Sequence, residues 1–349
     1  MAQRNGKGTA AWRRALTIRM LLLAAACAGA LAQAAVADPV TLRVGWVVST
    51  ADAPLLMFGK AGLARHEGVT YKLDPIHFQG SPPMITALAA GEVDLVGLGF
   101  STVPTAVLNA GMTDLRIIAD QFQDGVPGYY SNEFMVLKDG PIHTIDDMKG
   151  HIAADNATGS AIDMALRAML KKHGLEDKRN VTIIEAPFPA MPAMLTDHKV
   201  DLIAALRTFT ADPAVLAYSR PLFTQGEAMG RSQMGLLAAR APFLEKNRAA
   251  VVDYLEDELR ELRWYSDPAN HDEVVQIIAT FSKVPPAALA RWIYIPKEDL
   301  YHDPQGLPDL DALQSNIELQ RDLGFLKSDL DVRKLADLSY VKEAAQRLK

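Results

Sequence analysis

Cysteine is almost missing from this chain. Among 349 residues there is one, Cys27, and it lies in an N-terminal leader. The body of the protein therefore has no disulfide, no thiol nucleophile and no cysteine metal site. Long apolar runs are equally scarce. One occurs near the start, and no other approaches the length of a transmembrane helix. Histidine is present at eight positions, His66, His77, His143, His151, His173, His198, His271 and His302. No pair of them stands four residues apart with a third ligand nearby, so the pattern offers no metal site. A nucleophile elbow, a Walker loop and a dinucleotide fingerprint are all absent. No cofactor is expected. No stretch is low-complexity or long enough to be a disordered linker.

What is present points to export. Residues 1–19 hold Arg4, Lys7, Arg13, Arg14 and Arg19 and no acid. An apolar stretch follows over 20–32, and Ala35–Val36–Ala37 gives a small-x-small cleavage site before Asp38. This is the layout of a secretory signal, with an apolar part too short to span a membrane stably. Two variants stay open. Arg13–Arg14 is a weak twin-arginine feature, and Cys27 after Ala24–Ala25–Ala26 is a degenerate lipoprotein site. Cleavage after Ala37 would leave 31 basic against 42 acidic residues, a net charge of −11. That charge argues against nucleic acid as a partner. The chain is long enough for about two domains. Its hydrophobic content of 49% and charged content of 22% are those of a soluble globular protein.

The chain is organised around residues 85–104, ITALAAGEVDLVGLGFSTVP. This reads as a helix end, a turn at Gly91, a strand over 93–98 and a loop opening another helix. The strand shows no sustained alternation, so both of its faces should be covered, as in a parallel sheet. The unit recurs. Leu88–x2–Gly91–Glu92–Val93–Asp94–Leu95–Val96 has a counterpart in Leu195–x2–His198–Lys199–Val200–Asp201–Leu202–Ile203. Repetition at this distance indicates two similar lobes. Around it the reading predicts strands over 40–48, 70–78, 115–120 and 132–138, with a helix over 54–66 and a loop over 121–131. In the second pass it predicts strands over 151–154, 181–185 and 200–206, and a helix over 161–173. Residues 232–239 are strand-like, and with 133–138 they are taken as the two connections crossing between lobes. Helices follow over 243–265, 271–281, 286–294 and 310–323 and near the C-terminus, expected to pack on the first lobe.

In this order the segments resemble a periplasmic solute-binding protein of an ABC importer, of the nitrate/sulfonate/taurine-type branch. The likeness rests on Leu42–Arg43–Val44–Gly45 after the leader and on Ala87–Leu88–Ala89–Ala90–Gly91–Glu92–Val93–Asp94. It rests further on Met135–Val136–Leu137–Lys138 with Ile145–Asp146–Asp147–Met148–Lys149–Gly150, and on Leu319–Gln320–Arg321–Asp322–Leu323–Gly324–Phe325. The resemblance implies an α/β, two-lobe periplasmic-binding-protein fold of type II, hinged by two crossing strands. It implies a monomer outside the cytoplasm that closes on a small organic molecule and delivers it to the transmembrane subunits of a permease. The expected division is a signal peptide over 1–37, a first lobe over 38–138 plus 233–349, and a second lobe over 139–232. Two alternatives remain. One is an enzyme on the same fold, similar to a thiamin-pyrimidine synthase, against which the lack of cysteine weighs. The other is a ligand-sensing subunit for a membrane receptor.

Candidate ligand contacts follow from the carboxyl ends of the strands, where open α/β sheets bind. Thr158, Gly159 and Ser160 precede the helix predicted from 161, with Asp163 completing a capping-box-like start. A helix start of this kind favours an anion, and it is equally an ordinary cap. Gly80 and Ser81 open the matching helix of the first lobe. There Pro82 and Pro83 carry no N–H, so the charged end of the ligand is expected in the second lobe. Ser49, Thr50, Ser101 and Thr102 follow first-lobe strands. Tyr129, Tyr130 and Phe188 would stack on an apolar ligand body or pack at the surface. Arg207 is expected to end the second-lobe strand beside Ser160, suited to a carboxylate or sulfonate. Arg231 would give a second contact. The plain alternative for Arg207 is an ion pair with a surface acid such as Asp212.

Overall fold

The computed structural model describes residues 38–47, 56–57 and 59–349, and the fold is that of the unit Pro39–Lys349. Ser49 and Thr50, the leader with Cys27, and the start of the helix expected over 54–66 lie outside the described residues. Residues 59–66 form turns. The strands are β1 (Val40–Trp46), β2 (Tyr71–His77), β3 (Leu95–Gly99), β4 (Leu115–Asp124), β5 (Glu133–Leu137), β6 (Ile152–Asp155), β7 (Thr182–Glu185), β8 (Leu202–Ala205), β9 (Ser219–Thr224) and β10 (Ser232–Arg240). The principal helices are α1 (Ser81–Ala90), α2 (Ala161–Lys172), α3 (Met191–Thr196), α4 (Arg248–Tyr265), α5 (His271–Ser282), α6 (Leu310–Asp322) and α7 (Ser339–Arg347).

The internal repeat has a physical cause. After α1 the chain turns at Gly91, with φ at 72°, and buries Val93. Asp94 then locks onto β1: its N–H donates to the Arg43 carbonyl at 2.8 Å and its carboxylate accepts the Arg43 N–H at 3.0 Å. After α3 the chain turns at His198, with φ at 55°, and buries Val200. Asp201 repeats both bonds on β6, to the Ile152 carbonyl at 2.8 Å and from the Ile152 N–H at 3.0 Å. Each aspartate thus fixes the register of a strand about to enter its sheet.

The result is two mixed five-stranded sheets, ordered β2-β1-β3-β10-β4 and β7-β6-β8-β5-β9. The first three strands of each order are parallel, and the fourth runs antiparallel to its neighbours. In the first sheet that strand, β10, comes from beyond the whole stretch of chain that forms the second sheet; in the second sheet it is β5, the first strand of that stretch. β5 follows β4 directly yet lies in the second sheet, and β10 follows β9 yet lies in the first. The chain passes between sheets at 125–132 and again at 225–231. The strand over 133–138, expected in the first lobe, is therefore hydrogen-bonded in the second sheet, where β8 and β9 flank it. The first passage precedes β5 instead of following it at Lys138. β3 and β10 are buried almost throughout, so both their faces are covered.

The two passages lie against each other. Gly125 has φ of 70°, and a Cβ there would collide with the Gly230 carbonyl, so only glycine fits. Asp124 ties them together. Its carboxylate accepts the Ser131 hydroxyl and the Asn132 N–H, the latter at 2.8 Å. Ser131 in turn accepts the Gly226 N–H at 2.8 Å. Burial pushes Asp124 up to about 6.

Other differences have local reasons. β4 runs on to Asp124, through residues taken as loop, because β10 supplies a partner as far as Ser232. The helix expected over 243–265 is two, Ala241–Lys246 and α4, broken at Asn247. That over 286–294 shortens to Pro286–Leu289. α4, α6 and α7 cover the first sheet through contacts with β2, β10 and β4, as anticipated. Among the described residues no helix is long and apolar enough to cross a membrane.

Candidate functional site

A cavity of about 920 Å³, its open mouth included, lies between the carboxyl ends of the two sheets. Its floor is apolar: Leu98 on β3, Phe122 on β4, Met234 on β10, and Ile162, Leu206 and Trp292 around the rim. Five of the expected contacts reach it, namely Gly80, Ser81, Ser160, Phe188 and Arg207.

The second-sheet side supplies donors. Ala161 and Ile162, the first two residues of α2, line the cavity, and an α-helix leaves N–H groups at these positions without an internal acceptor. Ser160 caps the helix by accepting the Asp163 N–H at 3.1 Å and donates to the Asn156 amide oxygen at 2.9 Å. Asn156 follows β6 as Val47 follows β1, and both line the cavity. Beneath them Asp163, fully buried, accepts the Gly159 N–H at 2.7 Å and Arg167 Nε at 2.6 Å. This fixes the loop before α2. On the opposite side Ser81 accepts the Gly99 N–H at 2.8 Å, which leaves its own proton to donate.

Arg207 follows β8 and has its guanidinium 4.5 Å above the Tyr130 ring. Its partner is Glu298, through the carbonyl at 3.0 Å and the carboxylate at 3.2 Å, and not Asp212. Asp212 instead caps a short helix. Tyr130 therefore lies behind the cavity, where its hydroxyl meets Thr210 at 2.9 Å and burial raises its pKa well above the usual phenol value.

The segment after α5 supplies acceptors. Asp299 is 7% exposed and accepts the N–H groups of Tyr294 at 3.1 Å and Leu300 at 2.8 Å. Burial pushes it up to about 7, against the pull of Arg207. His302 Nδ1 lies 2.8 Å from the Gln121 carbonyl. Its proton therefore sits on Nδ1 and Nε2 is an acceptor. Burial lowers the pKa of this ring.

The remaining expected contacts are outside the cavity lining. Ser101 and Thr102 are buried, and each spends its hydroxyl on a backbone carbonyl, Ser101 on Gly159 at 2.7 Å and Thr102 on Gly99 at 2.8 Å. The Ser101 bond joins the end of β3 to the loop before α2, across the cleft. Tyr129 packs edge-on against Tyr301, 5.1 Å away. Thr158 is exposed, with its N–H on Glu185, and Gly159 is committed to Asp163. Arg231 pairs with Asp309 at 2.9 Å and Gln123 at 2.9 Å, drawn there by two acceptors close to β10. Missed altogether were Asn132, Asn156, Trp292, Asp299 and His302. The strand-end rule applied to β6 would have found Asn156. Trp292, Asp299 and His302 sit in a stretch with no strand pattern, and only tertiary packing brings them in.

Chemically this is a set of fixed donors and acceptors around an apolar floor. Among the described residues no serine or threonine hydroxyl is hydrogen-bonded to a histidine ring. One trio of possible metal ligands stands elsewhere: His66, Asp253 and Glu256. Its carboxylates already face arginines, Asp253 with Arg347 at 2.7 Å and Glu256 with Arg260.

A family profile described as NMT1-like matches residues 35–279. The chain belongs to the NMT1-like family. Among curated relatives, the putative aliphatic sulfonates-binding protein of Escherichia coli (strain K12) is 25% identical over 238 residues, 68% of this chain and 71% of that protein. Among solved structures, the alkanesulfonate-binding protein SsuA from Xanthomonas axonopodis pv. citri, bound to MOPS, superimposes with a TM-score of 0.68 at 20% identity. It covers 86% of this chain and 99% of its own. The desulfurization enzyme DSZB superimposes with a TM-score of 0.62 at 14% identity, covering 89% and 100%. The NMT1-like chain thus has the periplasmic-binding-protein fold, two lobes joined by two crossing segments. That fold carries binding proteins and an enzyme alike, so the cavity has to decide between them.

Proposed function

We propose that this NMT1-like chain is an extracytoplasmic solute-binding protein. It captures a small organic anion, a sulfonate or carboxylate, between its lobes and delivers it as a monomer to an ABC permease. The observation that carries this reading is the cavity itself. It lies between topologically equivalent sheets, and Ala161 and Ile162 at the start of α2, with Asn156 and Arg207, line one side of an apolar floor. An anionic head fits the donors, at the positive end of α2, and an apolar body fits the floor. Among the described lining residues nothing pairs a nucleophile with a base, which favours binding over catalysis. The sulfonate-binding relatives support the choice of ligand class. The basic, then apolar leader over 1–37 supports export, with cleavage after Ala37. Intact-mass measurement of periplasmic protein should then find Asp38 at the N-terminus, and a lipidated Cys27 would overturn that site.

Thermal-shift screening of the mature chain against small sulfonates, carboxylates and nitrate tests the function. A ligand that binds only the folded state raises the melting temperature by mass action, and calorimetry then gives its affinity. Stabilisation by cationic or neutral compounds alone would refute the anion reading.

A further inference from the structure

We infer that the ligand cavity continues into a second chamber that takes a flat, uncharged ring, so that the solute is an aryl-bearing organic anion. This rests on the uptake reading and goes beyond it by naming what the far end of the ligand is. The second chamber, its open mouth included, spans about 930 Å³ and shares Val47, Asn156, Phe188 and Leu206 with the first. The two therefore adjoin, with Phe188 part of the wall of each.

The walls of the second chamber have a different chemistry. Among its fourteen described lining residues none is Asp, Glu, Lys or Arg. Rings and prolines dominate: Trp46 and Phe78 from the first-sheet side, Pro187, Pro189 and Phe209 from the second. A charged head is not solvated there, since an ion away from water needs a partner. A neutral ring is suited to such walls, through burial and offset or edge-on stacking.

A separate observation lies on the same wall. Trp46 packs on one side against His77, ring centres 4.4 Å apart. Its indole N–H is shielded from solvent and has no acceptor among the described residues. Buried donors are nearly always satisfied, but with no accessible surface this one does not open onto the chamber, so ring recognition rests on the aromatic walls. Nitrate or a two-carbon sulfonate would fill only the donor-lined part and leave the aromatic chamber empty.

Titration calorimetry on the mature chain tests this with pairs of anions that share a head group: ethanesulfonate with 2-naphthalenesulfonate, and propionate with 2-naphthoate. The ring-bearing member of a bound pair should bind at least tenfold more tightly, in keeping with burial of a large apolar area. Thr208→Trp and Gln79→Trp fill the second chamber from opposite walls, and neither residue lines the first. Each variant that retains the unliganded melting temperature should bind the short anion like the parent and lose the ring advantage. Equal affinity within the pairs, or a ring advantage that survives both substitutions, overturns the subsite while leaving the uptake reading in place. Failure of all four anions to bind overturns the uptake reading and the subsite with it.

Discussion

Replacing Asp155 with asparagine should stabilise this protein at neutral pH. Asp155 ends β6 beneath the ligand loop. It is fully buried, and neither carboxyl oxygen meets a donor. Burial first, and the neighbouring Asp163 carboxylate second, push it up to about 9 from an ordinary 3.8. At pH 7 the folded state therefore holds a proton on Asp155 that the unfolded chain lacks. Stability must then fall as pH rises from about 4 to about 9, by about 1.4 kcal/mol per unit. Below about 4 both states are protonated and the effect vanishes. Proton uptake at pH 7 costs about 4 kcal/mol, and this figure depends only on the folded value lying above 7. An asparagine needs no proton and can donate its amide N–H to Asp163. Asp155→Asn should gain up to about 4 kcal/mol at pH 7 and almost nothing at pH 4. Urea unfolding of parent and variant at pH 4.5, 7 and 8.5 measures both quantities. As a control, Asp163→Asn removes a charged partner of Arg167 and should cost about 1.5–3 kcal/mol. A difference between parent and Asp155→Asn that does not change with pH would refute the reasoning, because it would mean the buried carboxyl is not holding a proton.

Two further outcomes follow from the contacts around the cavity. Ser101→Ala removes the 2.7 Å bond to the Gly159 carbonyl and should cost about 1 kcal/mol. It should also weaken ligand binding several-fold, and small-angle scattering should show the unliganded variant more open than the parent. Arg207→Ala should lower the unliganded melting temperature modestly, since it removes the bond to the Glu298 carbonyl and the stack on Tyr130, while the ion pair with half-exposed Glu298 adds little. Its affinity for an organic anion should fall by about 1.5–3 kcal/mol, and wild-type affinity would take Arg207 out of the site.

The parts of the fold that repeat were legible, because one device made them. Asp94 and Asp201 sit at the same offset from a helix stop, and the spacing in the sequence is the spacing of the hydrogen bonds. β3 and β8 were readable as buried strands because nothing polar interrupts them. The exchange of β5 and β10 between sheets was not readable in full. β5 stands at the junction of two stretches of chain, and nothing in its own pattern tells which sheet it joins, so β5 was counted with the wrong sheet. The site divided along the same line. Ser160 and Arg207 lie at strand ends and were found. Asp299 and His302 arrive from a turn-rich segment whose position depends on the helices packed behind it. Ser101 was seen as a polar group in the right loop, but its hydroxyl turned out to be spent on a bond across the cleft. Only the position of the facing Gly159 carbonyl decides that.

The strand exchange also sets an order of assembly. β5 to β9 occupy one continuous stretch of chain, so the second sheet has all its strands once residue 224 has been made. The first sheet has four of its five by residue 124, but β3 and β4 are not neighbours, and β10 must slot between them. Until residues 232–240 arrive, two long apolar edges stand open, and unpaired edges are where chains stick to one another. Closing them requires contacts across more than a hundred residues, a slow class of event. The later-made half is thus the independent one, and the N-terminal half is the last to become a folded object.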